Sequence, residues 1–82
     1  WLLDRGSWYY LDPATGVMAT GWVKDGDTWY YLNPTTGKMV TGWLKDGGAW
    51  YYLKAGSGAM ATGRLRLFWT WYTFSETGQL IS

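Results

Sequence analysis

Tryptophans recur along this sequence in pairs whose members are seven residues apart. The pairs are Trp1 with Trp8, Trp22 with Trp29, and Trp43 with Trp50. The faces of indole rings carry negative electrostatic potential and attract cations that are large and poorly hydrated. A quaternary ammonium such as choline suits a site of this kind, because its methyl groups gain apolar contact and need no hydrogen-bond acceptor. Such pairs either stabilise a hairpin or, together with a third ring, bind an organic cation.

The tryptophan pairs belong to a repeat of 21 residues. Other residue types keep the same step, namely Tyr10, Tyr31 and Tyr52; Leu11, Leu32 and Leu53; Gly16, Gly37 and Gly58; and Met18, Met39 and Met60. We divide the chain into three repeats, residues 1–21, 22–42 and 43–63, followed by a degenerate fourth repeat at 64–82. Short repeats of this kind are stable only when neighbours stack on each other.

Each repeat is predicted to begin as a β-hairpin. In "WVKDGDTWYYL", β-prone flanks surround Asp25-Gly26, a strong signal for a two-residue turn. A turn centred on Asp25 and Gly26 sets Trp22 opposite Trp29, so both rings share one face. Tyr31 shares this face because side chains alternate along a strand. The hairpin thus carries three aromatic rings on one side.

The remaining repeats lead to the same arrangement. Asp46-Gly47 sets Trp43 opposite Trp50, while the first repeat centres on Asp4-Arg5 and predicts a bulged or longer turn. The opposite face is predicted to form the core, through Leu11, Leu32, Leu53, Tyr30 and Tyr51. We expect an all-β solenoid of stacked β-hairpins. Two indoles of one hairpin and a tyrosine of the next would form an open-sided aromatic box, closed below by a methionine.

The composition excludes several other classes of function. Cysteine and histidine are absent, and the six carboxylates lie mostly in turns, so no nucleophile–base pair or metal site is indicated. We therefore expect no enzyme activity and no cofactor; any catalysis would belong to an absent partner domain. A formal net charge of +1 argues against nucleic acid, and no apolar run is long enough for membrane insertion. The chain opens on Trp1 in mid-pattern, which indicates a fragment of a longer protein.

The stretch "TGWVKDGDTWYYLNPTTGKMVTGW" resembles the choline-binding repeats of pneumococcal-type surface proteins and phage lysins. The resemblance extends from Trp1 to about Gly63. It implies a left-handed superhelix of hairpins that binds choline or phosphocholine on teichoic and lipoteichoic acids. It also implies a non-catalytic anchor of a secreted protein, located at the cell wall or surface of a Gram-positive bacterium.

The resemblance implies a ligand box between successive repeats, made of two tryptophans from one repeat, a tyrosine from the next and a nearby methionine. The first predicted box contains Trp1, Trp8, Tyr31 and Met18, and the second contains Trp22, Trp29, Tyr52 and Met39. A third box has Trp43 and Trp50, but its tyrosine position holds Thr73, with Tyr72 one residue away on the opposite face.

The fourth repeat departs from the pattern. Arg64 replaces its first tryptophan, and Leu67-Phe68 stands where the turn belongs. We expect residues 64–82 to act as a C-terminal cap or as an interaction segment, which could join two chains in a homodimer. Two other functions stay open for the whole chain: a carbohydrate-binding module that stacks sugars on its aromatic rings, and a structural spacer.

Overall fold

The computed structural model describes all 82 residues and contains only β-strands and connecting turns. The strands are β1 (Leu2–Asp4), β2 (Ser7–Tyr9), β3 (Gly21–Asp25), β4 (Thr28–Leu32), β5 (Gly42–Asp46), β6 (Ala49–Leu53), β7 (Gly63–Leu67) and β8 (Thr70–Phe74). Consecutive strands pair antiparallel as four separate hairpins. The predicted all-β fold of successive hairpins is confirmed, and no helix that could span a membrane is present.

The hairpin turns lie one residue later than the sequence predicts. In the second hairpin Asp25 pairs with Thr28, so Gly26 and Asp27 form the turn. Trp22 then pairs with Tyr31 rather than with Trp29. A pairing shift of two residues leaves every side chain on its predicted face, since the strand period is two. The prediction of direct Trp22–Trp29 pairing is wrong, but the two rings do share a face.

The same register holds in all four hairpins, and in the first three glycine explains where the turn forms. Gly47 and Gly48 occupy the third turn with φ of 59° and 84°. Turns of type I′ need positive φ at both central residues, which glycine adopts without strain. The predicted centre at Asp46-Gly47 would place Asp46 at one of these positions. The first turn is likewise a two-residue turn, at Arg5 and Gly6, rather than a bulged one.

The predicted cap at residues 64–82 contains a complete fourth hairpin. Strands β7 and β8 pair in the same register as the preceding repeats, with Leu67 opposite Thr70. The turn residues are Phe68 and Trp69, which adopt φ of 47° and 72°. Residues other than glycine are strained in this left-handed region of backbone conformation. The pairing of β7 with β8 therefore determines where this turn forms, although Phe68 and Trp69 are unfavourable turn residues.

The chain divides into two compact units, Trp1–Val40 and Thr41–Ser82. Each unit contains two hairpins joined by a main-chain hydrogen bond. In the first unit the Met39 amide donates to the Trp8 carbonyl oxygen at 2.8 Å. In the second unit the Leu80 amide donates to the Trp50 carbonyl oxygen at 2.8 Å. In each unit, the loop after the second of its two hairpins thus returns to the main chain of the first.

The core is small and lies along the leucine register. Leu32 in the first unit and Leu53 in the second are fully buried. Phe74 takes the leucine position in the fourth repeat and is also buried. Leu11 is 39% exposed, so the prediction that it joins the core is wrong. Seven of the eight tryptophans are exposed to solvent.

Candidate ligand-binding site

In the first unit, Trp1 packs between two tyrosines of different hairpins. Its ring centroid lies 5.1 Å from that of Tyr10 and 4.8 Å from that of Tyr30, both in edge-to-face geometry. Trp8 lies on the same strand face as Trp1, opposite Leu3, and both indoles are about 40% exposed. The structure therefore brings Trp1 into contact with a tyrosine of the following hairpin, with Trp8 on the same face as Trp1.

That tyrosine is Tyr30, whereas the sequence assigned Tyr31 to this box. Tyr31 instead packs against Trp22 of its own hairpin, with ring centroids 5.1 Å apart. The two tyrosines point to opposite faces of β4 because side chains alternate. When one hairpin packs on a second, the ring-bearing face of the first meets the opposite face of the second. The neighbour's contribution therefore comes from the face that does not carry its own tryptophans.

Two further contacts hold this first set in place. The indole Nε1–H of Trp1 donates a hydrogen bond to the Asp25 carboxylate at 2.9 Å. The Met18 side chain lies over Gly37, where an added Cβ would come within 2.7 Å of the sulfur. The φ of 76° favours glycine at residue 37, and the lack of a side chain there leaves room for Met18. Met18 thus packs against the second hairpin, as a flexible side chain that fills an irregular gap.

The second predicted set stays a prediction. Trp22, Trp29 and Met39 belong to the first unit, and Tyr52 belongs to the second. Within the first unit, Trp22 and Trp29 lie on one face of their hairpin, with Lys24 directly opposite Trp29. This hairpin therefore offers a tryptophan pair in the same arrangement as the others.

The second unit contains the best-defined aromatic site. The ring centroids of Trp43 and Trp50 are 6.3 Å apart and their planes are nearly perpendicular, at 85°. The two rings form a corner that is open to solvent, since Trp43 is 40% and Trp50 is 44% exposed. Cation–π attraction acts up to about 6 Å from a ring centroid. A cation in this corner can therefore interact with both rings at once.

Tyr72 of the fourth hairpin packs against Trp43, one of the two rings of this corner. Its ring centroid lies 5.0 Å from that of Trp43 in edge-to-face geometry. Tyr52 contacts Trp43 from within its own hairpin, at 5.2 Å. The sequence pattern pointed to Thr73 at this position and so left the third box without a tyrosine. The register that Tyr30 and Tyr72 share, one residue earlier, was the signal that could have identified both residues.

A cation already lies near this corner. The ammonium nitrogen of Lys45 is 5.9 Å from the ring centroid of Trp50. This contact is at the outer limit of a cation–π interaction and belongs to an exposed side chain. No group of three or more carboxylates, histidines or cysteines lies together that could hold a metal ion. The chemistry of the site is therefore that of aromatic rings.

Comparison with known proteins gives a family and several similar structures. The choline-binding repeat family matches residues 1–41 and 19–65. Choline binding protein F from Streptococcus pneumoniae is 49% identical over 99% of this chain and 27% of its own, with a TM-score of 0.93. CbpJ from Streptococcus pneumoniae TIGR4 is 45% identical over 100% of this chain and 28% of its own, with a TM-score of 0.94.

A third similar structure is the multimodular pneumococcal cell wall endolysin from phage Cp-1, solved with choline. It is 33% identical over 93% of this chain and 25% of its own, with a TM-score of 0.75. The chain thus spans between 25% and 28% of the length of these three proteins. No curated protein sequence matches it. From the family match and the shared hairpin architecture, we conclude that the chain belongs to the choline-binding repeat family.

Proposed function

We propose that this chain is a non-catalytic module that binds choline in aromatic corners between successive hairpins. The observation that carries the proposal is the solvent-open corner of Trp43 and Trp50 beside Tyr72. The corresponding residues of the first unit are Trp1, Trp8 and Tyr30, and Met18 of the same unit packs against Gly37. The phenol of the following hairpin limits the size of each corner, so that a trimethylammonium group contacts several rings.

The expected affinity for free choline is weak. One cation–π contact contributes about 0.5–2 kcal/mol, and a millimolar dissociation constant corresponds to about 4 kcal/mol. Two or three rings therefore give a millimolar site. A polymer that carries many choline groups binds more tightly, because the second contact becomes intramolecular and avidity can exceed either affinity by about 10²–10⁴. Repeated corners of this kind suit a ligand that is itself repetitive.

The polymer that fits these requirements is a teichoic or lipoteichoic acid decorated with phosphocholine. On this proposal the module anchors a secreted protein at the cell wall or cell surface of a Gram-positive bacterium. Any catalytic or adhesive activity would lie elsewhere in a longer protein. Support comes from the family match and from the cell wall endolysin that was solved with choline.

A paired titration tests the choline proposal. Isothermal calorimetry of the full chain with choline should give a millimolar dissociation constant, and 3,3-dimethylbutanol, the neutral isostere, should bind at least tenfold more weakly. The double variant Trp8→Ala/Trp50→Ala should lose most retention on a tertiary-amine resin. Trp69→Ala, which removes an exposed indole outside both corners, should be retained like the wild type.

Other results would favour the remaining functions. Equal binding of choline and the neutral isostere would contradict cation–π recognition. Binding of glucose oligomers without a response to choline would indicate a carbohydrate module. Dimerisation through residues 64–82 stays a prediction that the 93% exposed side chain of Phe68 supports. Sedimentation of the wild type and of Phe68→Ser, with and without choline, tests it.

A further inference from the structure

The fourth hairpin adds a positive charge to the face that carries tryptophan pairs in the other repeats. Arg64 stands where the first tryptophan belongs, and Arg66 stands where the second and third repeats have lysine. In the structure Arg64 pairs with Thr73 and Arg66 pairs with Trp71, so both arginines and Trp71 share one face. A second indole, Trp69, follows at the turn.

Each arginine lies over an indole. The guanidinium carbon of Arg64 is 4.6 Å from the ring centroid of Trp71, and that of Arg66 is 4.8 Å from that of Trp69. A guanidinium held over a ring face still has its N–H donors available for hydrogen bonds to another group. The two groups are thus held in position for bidentate hydrogen bonds to an oxyanion.

Neither guanidinium is neutralised by the chain. No carboxylate forms an ion pair with Arg64 or Arg66, and the sole acidic residue of the fourth repeat, Glu76, lies in the loop after β8. The arginines stand two residues apart on one strand, which sets their Cα atoms about 6.6 Å apart. Two unpaired positive charges at this spacing repel a choline cation and attract an anion.

The turn adds a second observation. Phe68 and Trp69 hold positive φ, where each of the other turns has at least one glycine. Both side chains are almost fully exposed, so core packing does not explain their presence. With Arg66 they line an open hollow of about 310 Å³. Backbone strain that persists without a packing reason points to a binding role, and the observed partner of Trp69 is the guanidinium.

We propose that Arg64, Arg66, Trp69 and Trp71 form an arginine–tryptophan face that binds phosphate groups of an anionic polymer. The partner is the phosphodiester of the same choline-bearing polymer, and the identity of that polymer rests on the function proposed above. The aromatic corners bind its cationic groups, and the fourth hairpin binds its anionic groups. Charge complementarity selects this partner, because a phosphodiester offers two acceptor oxygens to each guanidinium fork.

The test uses a choline-free glycerol phosphate hexamer and the full chain. Calorimetry should show binding that weakens as salt is added. Arg64→Gln/Arg66→Gln should lower the affinity about tenfold or more, since hydrogen bonds to charged groups are the stronger kind. Lys38→Gln/Lys54→Gln removes the same charge from exposed loops and should change the affinity less than twofold. Arg64→Lys/Arg66→Lys, which keeps the charge but not the planar fork, should fall between them.

Three results would overturn the proposal. They are no hexamer binding by the wild type, an equal loss in the lysine control, and stronger binding to phosphatidylglycerol vesicles than to the hexamer at equal phosphate. Free choline should bind the arginine variant as it binds the wild type. Hexamer binding without choline binding would contradict the function proposed above while leaving the phosphate site supported. Choline binding without hexamer binding would overturn only the phosphate site.

Discussion

The third and fourth hairpins share one backbone register but present different side chains on the same face. In the third hairpin this face carries Trp43 and Trp50, whose rings form an open corner. In the fourth hairpin Arg64 takes the place of the first tryptophan and lies over Trp71. The protein's own cation thereby occupies the indole face on which an external cation would otherwise bind. Exchange of one residue type within a constant fold is sufficient to change the ligand expected at a repeat.

Arg64→Trp is the strongest way to challenge this comparison. The substitution should restore a tryptophan pair in the fourth hairpin and remove one of its two unpaired charges. We expect one additional choline site per chain and about fivefold weaker binding of the glycerol phosphate hexamer. Calorimetric stoichiometry measures the first effect, and a hexamer titration measures the second.

Lys54→Trp is the matched control, since it exchanges a cation for an indole at an exposed loop position. It should leave the number of choline sites unchanged. An unchanged number of sites in Arg64→Trp would show that a tryptophan pair alone does not make a corner. A choline site would then require a tyrosine of a neighbouring repeat in addition to the tryptophan pair.

Periodicity was sufficient to predict the hairpins and the faces of their side chains. The 21-residue step identified the tryptophan pairs, and strand alternation placed Trp43 and Trp50 on one face. The predicted turn was one residue too early, which shifts the strand pairing by two residues. A shift by two residues keeps every side chain on the same face, so the predicted faces were still correct. The repeat period and strand alternation therefore predict which side chains share a face of each hairpin.

Contacts between hairpins could not be predicted from the same rules. The choice of Tyr30 over Tyr31 depends on which face of the second hairpin meets the first, and a single repeat contains no information on that packing. The fourth turn was missed for a related reason. Phe68 and Trp69 are poor turn residues, and only the pairing of their flanking strands sets them at positive φ.

The backbone strain at the turn of the fourth hairpin is a second, smaller difference between the third and fourth hairpins. Trp69→Gly should stabilise the chain, because glycine accepts the φ of 72° and the exposed indole contributes little packing. A side chain in the left-handed region costs about 1–2 kcal/mol. Allowing for the lost contact with Arg66, we expect a net gain of about 1 kcal/mol, or roughly 4–8 °C in Tm.

Thermal unfolding by circular dichroism measures this gain. Trp71→Gly is the control, since it removes an indole from a strand, where glycine is unfavourable, and should lower Tm. The stabilised Trp69→Gly variant should bind the glycerol phosphate hexamer more weakly than the wild type. A lower Tm for Trp69→Gly would mean that the Arg66–Trp69 stack outweighs the backbone strain.

The smallest expected effect separates the corner of Trp1 from that of Trp43. The Trp1 indole donates to Asp25, whereas Leu67 occupies the corresponding position in the fourth hairpin and offers no acceptor. Asp25→Ala should release the Trp1 ring and weaken choline binding there about twofold, as expected for one exposed hydrogen bond. Asp25→Asn keeps an acceptor and should behave more like the wild type. The indole N–H resonance of Trp1, followed by NMR during a choline titration, reports on this corner alone. Asp25→Ala could instead leave unchanged the choline concentration at the midpoint of this titration. Ring contacts with Tyr10 and Tyr30 would then be enough to orient Trp1, and leucine at residue 67 would not weaken choline binding at the corner of Trp43.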